Sequence, residues 1–276
     1  MNHAVSTHFL VNQRLNNVWL DKIYEAGIPA VEIFCAKQHI DWQNKSQITE
    51  LAHWFSDAPL KLHSLHSPMF NDEVWGRTGP SSIINIADLN KPRRIAAVDQ
   101  IKQAIEIAEK IPFRYLIQHL GAPVDDFDEA KLELAFSSLE EISLFARHRG
   151  VEVLLENIPN GLSSAERLNY FLGITHLNLG YCLDIGHANL MDGVATTFEL
   201  MKDRIKSTHV HDNNGKEDKH LFPTLAAGGT VNWRETMGLL RSREHQYPLL
   251  LELKESPDFP HPLDSIRRIF ENLENL

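Results

Sequence analysis

The chain has 276 residues, 43% of them hydrophobic, and a formal charge of −10 from 27 Lys and Arg against 37 Asp and Glu. That balance argues against a protein whose main business is holding nucleic acid, because phosphate contacts need a basic surface. No run of 18 apolar residues is present, which excludes a transmembrane helix. The opening MNHAVSTHFLVNQRL lacks a charged n-region and a sustained apolar h-region, so no signal peptide is expected.

In chain order, a strand is expected over 4–10 and a helix over 16–26, then strand 30–35 and helix 46–57. Strand 61–66 leads through a long connection to helix 91–110. Strand 115–120 precedes helix 127–149, strand 152–157 precedes helix 163–173, and strand 179–184 precedes helix 194–203. Strand 205–211 reaches helix 233–242 through a second long connection, and strand 248–253 precedes a final helix at 262–274. Helix 91–110 has the clearest pattern, with Ile95, Val98, Ile101, Ala104, Ile105 and Ala108 at helical spacing. Pro92 suits its first turn and Ile111-Pro112 closes it. Cys35 and Cys182 both fall in expected strands, which suggests buried reduced thiols and a cytoplasmic protein.

Eight strands and eight helices in strict alternation point to an α/β fold, a single (β/α)8 TIM barrel domain over 1–276. A doubly wound sheet is the runner-up, because alternation alone does not require the sheet to close. The two long connections, 67–90 and 212–232, both follow strand C-termini. They therefore belong on the face where barrel enzymes work. Their Phe70, Trp75, Phe222 and the adjacent Trp233 suit the covering of a ligand.

Four apolar runs end on metal-loving side chains: LLEN at Glu156, CLDIGH at Asp184 and His187, THVHD at His209 and His211, and LLLELK at Glu252. Side chains alternate across a strand. Glu156 shares a face with Leu154, Asp184 with Cys182, His209 and His211 with Ser207, and Glu252 with Leu250. His66 ends LHSLH on the face of Ser64, and His119 ends LIQH on the face of Ile117. Asp218 and His220 form D-x-H in the second long connection. His63 has the opposite parity to His66 and reads as structural. A barrel interior that turns polar at its top would gather these groups, and two Glu, one Asp and His hold a divalent cation with positions open for substrate. Carboxylate-rich ligands of this kind admit manganese, zinc, iron or cobalt.

The stretches VEIF at 31–34, LLEN, CLDIGH, HVHDNNGKEDKH and LELK resemble the xylose isomerase-like TIM barrel superfamily, the sugar phosphate isomerase/epimerase group related in fold to endonuclease IV. The resemblance implies one cation held by Glu156, Asp184, His209 and Glu252. His209 is preferred over His211 because the family's H-x-x-D pattern falls on His209 and Asp212, although both share a face. His187 and His211 then fall where substrate contacts are common, and His66 and His119 are counted with them. The resemblance to endonuclease IV implies further metal ligands at His66, His119, His187, Asp218 and His220, and so more than one ion. Some features depart from these relatives. HSPMFND lacks the tyrosine usual after that histidine and proline. FPTLAAGGTVNW carries Asn232 where the group often has Asp, and Asn213 to Lys216 include no Arg.

The expected activity is isomerisation or epimerisation of a small polyhydroxy carbonyl compound, within carbohydrate metabolism. Glu156 and Glu252 would pass a substrate proton between them. An endonuclease IV-like metal phosphodiesterase and a noncatalytic sugar-binding barrel are the alternatives. No nucleic-acid or membrane partner is expected, and a homo-oligomer stays open.

Overall fold

The computed structural model describes residues 1–276. Its strands are β1 (His3–Ser6), β2 (Ala30–Phe34), β3 (Lys61–His66), β4 (Tyr115–His119), β5 (Glu152–Glu156), β6 (Gly180–Asp184), β7 (Ile205–His209) and β8 (Leu249–Leu251). The helices are α1 (Asn17–Glu25), α2 (Lys45–Asp57), α3 (Lys91–Ile105), α4 (Glu129–Arg147), α5 (Ala165–Ile174), α6 (Ile185–Leu190), α7 (Val194–Met201), α8 (Trp233–Arg241) and α9 (Pro262–Glu274).

Every strand pairs in parallel with its neighbours, in the order β7-β6-β5-β4-β3-β2-β1-β8. The seam between β7 and β8 is closed just past the end of β7. Val210 N–H donates to Leu250 O at 2.8 Å, and Glu252 N–H donates to Val210 O at 3.2 Å. The Thr208 hydroxyl stitches the same seam, donating to Pro248 O at 2.8 Å. The ring is therefore a (β/α)8 TIM barrel, and the doubly wound alternative falls. Tyr115, Ile117, Leu154 and Cys182 form a small cluster inside it, as strand parity requires, while the larger core fills the space between sheet and helices. Helices α1, α2, α3, α5 and α8 each open on an Asn or Ser whose side chain accepts the amide three residues on.

Several elements differ from expectation. The first strand stops at Ser6, and Thr7–Leu10 turns into a 3-10 helix. The Thr7 hydroxyl accepts Phe34 N–H at 3.0 Å, where a longer strand would have placed a carbonyl. The helix expected at 91–110 tightens to 3-10 geometry after Ile105. The strand expected at 205–211 ends at His209, and the short α6 was not foreseen. In β3 the register slips opposite Val31 and Glu32, which flips the parity of His63. His63 thereby hydrogen-bonds Ser207 and packs edge-on to Tyr115 inside the barrel, below the mouth, and not on the opposite face that its parity suggested.

Both long connections are ordered by their own contacts. In 67–90, Asn71 N–H donates to Ser82 O and Ile84 N–H to Met69 O, closing a small hairpin. In 212–232, the Asp212 carboxylate accepts Asn213 N–H, Thr230 N–H, Val231 N–H and the Trp233 indole N–H at 2.6–3.1 Å. Trp233 is thus an anchor for the loop. Phe222 is buried and stacks on Phe259, with centroids 4.2 Å apart. Neither lines the cavity at the barrel mouth. Trp75 and Phe70 do line the cavity at the barrel mouth.

Candidate metal centre

The ends of β3 to β7 and the residue after β8 deliver their side chains to one place. The last residue of β3, β4, β5, β6 and β7 is His66, His119, Glu156, Asp184 and His209. Glu252 follows β8 directly. At the centre, His209 Nδ1 lies 3.0 Å from Glu156 Oε1, 3.5 Å from Glu252 Oε2 and 3.8 Å from Asp184 Oδ2. On one side, His119 Nε2 is 3.0 Å and His66 Nε2 3.5 Å from Glu156 Oε2. On the other, Asp218 is approached by His220 Nε2 at 3.1 Å, His187 Nε2 at 3.4 Å and His211 Nε2 at 3.9 Å. His211 Nε2 also lies 3.1 Å from Asp184 Oδ2.

All ten residues singled out from the sequence therefore meet, and they sort into groups. Glu156, Asp184, His209 and Glu252 bring one donor atom each within 4.8 Å of one another. So do His66, His119 and Glu156, and so do His187, His211, Asp218 and His220. Of the two histidines left open by the sequence, His209 joins the carboxylates and His211 joins the third group. Gly186 makes that third group possible, since a Cβ there would collide with the His211 ring.

The histidines are oriented from behind. A carbonyl oxygen can only accept, so the ring nitrogen facing one must carry the proton. His66 Nδ1–H donates to Ser67 O at 2.9 Å, His187 Nδ1–H to Asn157 O at 3.0 Å and His220 Nδ1–H to Glu252 O at 3.1 Å. Each leaves Nε2 toward a carboxylate. This is the arrangement of metal-ligating imidazoles, whose second nitrogen is normally tied to an outer acceptor. Asp184 is similarly split: Oδ1 accepts His187 N–H at 2.6 Å as the cap of α6, and Oδ2 faces the site. Two buried carboxylate oxygens, Glu252 Oε1 and Asp218 Oδ1, accept no hydrogen bond at all. An orphaned buried carboxylate oxygen is costly and fits a cation. His220 sits at φ 46°, a left-handed backbone uncommon outside glycine and one that clusters at functional positions.

The electrostatics separate the two glutamates. Burial works against ionising Glu156, but His209 and His119 outweigh it and hold the carboxyl well below its ordinary range. Burial pushes Glu252 up to about 7, with the charge of Glu156 adding to it. Burial likewise opposes charge on His187 and His209. Asp184 overcomes this for His187, and surrounding carboxylates including Glu252, Glu32 and Glu156 do so for His209, so both imidazoles stand well above their ordinary value.

Three residues here were not picked out from the sequence. Glu32, fully buried in β2, accepts from His209 Nε2 at 3.1 and 3.2 Å and from the Ser64 hydroxyl at 2.7 Å. The sign was available in VEIF, a lone acid inside an apolar strand. His8 was hidden by reading 4–10 as strand; it stacks on Phe34 and neither ring nitrogen has a partner. Lys254 reaches the rim and donates to Asp218 O at 3.0 Å. A cavity of about 270 Å³ opens above the groups, walled by Phe34, Met69, Phe70, Trp75 and Ile158. Apolar walls over a polar floor suit a small molecule held by its hydroxyls.

The family model described as xylose isomerase-like TIM barrel matches residues 20–276. An uncharacterized protein of Methanocaldococcus jannaschii is 28% identical over 251 residues, covering 87% of this chain and 79% of that one. A probable endonuclease 4 of Natronomonas pharaonis is 28% identical over 211 residues, covering 69% of this chain and 75% of its own. Among solved structures, a D-tagatose 3-epimerase-like protein superposes with a TM-score of 0.76 at 27% identity, over 100% of this chain and 99% of the other. A zinc-bound IOLI protein has a TM-score of 0.77 at 16% identity over 99% and 98% of the two chains, a likeness of fold.

Proposed function

The chain belongs to the xylose isomerase-like TIM barrel family, and from that premise we propose that it is a divalent-metal-dependent isomerase or epimerase of a small sugar or sugar derivative. The observation that carries this reading is the group Glu156, Asp184, His209 and Glu252, four buried donors within 4.8 Å at the barrel mouth. A divalent cation there supplies Lewis acidity to a carbonyl and its neighbouring hydroxyl. Glu156 and Glu252 approach from β5 and β8, so one takes the proton α to the carbonyl and the other returns it. The imidazoles of His187, His211, His66 and His119 orient hydroxyls around that centre. Phe34 and Trp75 exclude water from one wall of the cavity. The D-tagatose 3-epimerase-like neighbour supports the substrate class.

The test follows deuterium from solvent into a panel of ketoses, aldoses and their phosphates. Exchange is expected with the wild-type protein, and Glu156→Gln and Glu252→Gln are each expected to lower it by about 10²- to 10⁴-fold, the usual contribution of an acid–base group. Exchange that persists in both variants would leave these carboxylates as ion holders only.

A second reading is favoured by the other two donor groups. His66, His119 and Glu156, together with His187, His211, Asp218 and His220, suit additional ions. Clustered metals activate water against phosphoesters, and the probable endonuclease 4 relative carries a name of that kind. Zinc-loaded protein assayed on bis(p-nitrophenyl) phosphate separates the readings. Hydrolysis lost in His119→Ala, without any sugar exchange, would replace the isomerase by a phosphoesterase.

A further inference from the structure

We propose that Glu32 is a positioning residue that selects which nitrogen of His209 faces the metal group. The proposal rests on the metal-binding reading of that group but not on the identity of the substrate. A histidine offers one nitrogen to a cation only if its proton sits on the other. Unlike His66, His187 and His220, His209 has no backbone carbonyl behind it. Its outer partner is a carboxylate, with Glu32 Oε1 and Oε2 at 3.1 and 3.2 Å from Nε2. A carboxylate accepts more strongly than a carbonyl, so it holds the proton on Nε2 and makes Nδ1 the donor atom. Nδ1 is the nitrogen that lies among Glu156, Asp184 and Glu252.

The placement of Glu32 is difficult to explain on stability alone. It is a fully buried carboxylate in mid-strand of the barrel interior, and its side-chain partners are His209 and Ser64. Such a group is expensive to bury. The bulge between Val31 and Glu32 brings Ser64 opposite it in the pairing with β3, and the Ser64 hydroxyl then pins Oε2 at 2.7 Å. Ser64, Glu32 and His209 thus form a relay from one strand to another that ends on the metal side. The same carboxylate leaves negative charge behind the imidazole, which strengthens its donation to a cation.

The test uses the full-length protein and zinc alone. Zinc affinity is measured by competition with a chromogenic chelator, and the protonated nitrogen of His209 is read from imidazole 15N shifts. Glu32→Gln keeps the size but removes the charge. Its affinity should fall by about 10- to 100-fold, the usual loss on removing an outer partner of a ligand, and the proton on His209 should no longer be confined to Nε2. In a His209→Ala background the same change should cost nothing further, because the two residues act as one unit. Ser64→Ala, a smaller lesion, should lose affinity in the same direction and decides the matter if Glu32→Gln fails to fold. Wild-type affinity in a folded Glu32→Gln, or an equal loss in the presence and absence of His209, overturns the proposal. Wild-type protein that binds no zinc overturns the metal reading instead. The 15N measurement on the metal-free protein then decides separately whether Glu32 holds the Nε2 proton, and an Nε2 found without a proton overturns that too.

Discussion

At the scale of single residues, the site holds buried polar atoms without partners, and these are costly. His8 is the plainest case, a buried imidazole with both nitrogens unpartnered. Replacing an unsatisfied polar group by an apolar one of similar shape is near neutral or stabilising. His8→Phe is therefore expected to leave the melting temperature of the metal-free protein unchanged or raised, as read by calorimetry, and a loss of several degrees would show that His8 has a structural partner. Titration gives a second expectation. His187 and His209 stand well above the ordinary value of 6.5, and His66 and His211 are raised as well. A raised imidazole binds more protons folded than unfolded. Its stabilisation is complete below 6.5 and fades as pH rises through the folded value. Glu252, lifted from 4.5 to about 7, acts in the same direction between those values. Glu156 and Asp184 are held low and act oppositely, losing their contribution as pH falls through their depressed values. Metal-free protein should thus melt at a lower temperature at pH 8 than at pH 6.5, while zinc-loaded protein, in which the ion replaces those protons, should not. Parallel melting curves with and without zinc across this range would contradict the assignment.

At the scale of elements, the strand ends were the most readable part of the sequence. An apolar run that stops on Glu156, Asp184 or His209 announces both a strand and the end that faces the mouth. Alternation puts His209 and His211 on one face, so strand parity did not separate them and the preference for His209 came from the resemblance alone. The structure places them apart, His209 at the end of β7 among the carboxylates and His211 beside Asp218, where Gly186 in α6 makes room for its ring. Glu32 escaped because one acid in an apolar strand gives no periodic signal, and the bulge that pairs it with Ser64 is a tertiary event. Phe222 and Trp233 sit away from the cavity and anchor their loop, a role that aromatic residues in a long connection serve equally well. Gly186 supplies a sharp element-level test. Gly186→Ala should displace His211, disturb the group it shares with His187, Asp218 and His220, and lower the zinc bound per chain by mass spectrometry under native conditions. Unchanged stoichiometry would mean that this group holds no ion.

At the scale of the whole molecule, barrel closure between β7 and β8 depends on the segment Val210–Glu252, which also carries the site. Metal binding at the proposed centre would therefore be linked to the integrity of the ring, and a chelator should then lower the melting temperature of the entire barrel. An uncoupled, unchanged transition would separate the two. The net charge of −10 acts over the same scale. It opposes close approach of a duplex, so abasic DNA should remain uncut by zinc-loaded protein at physiological salt. Nicking that disappears in His119→Ala would refute this. The position of Glu156 has a last consequence, for the history of each molecule as it fills. One of its oxygens faces His209 and the other faces His119 and His66. A carboxylate claimed from one side has less charge to offer the other. The group of His66 and His119 has no other carboxylate of its own, so it should be the last to load and the first to empty, leaving a partly filled protein as a distinct species between the bare and the complete one.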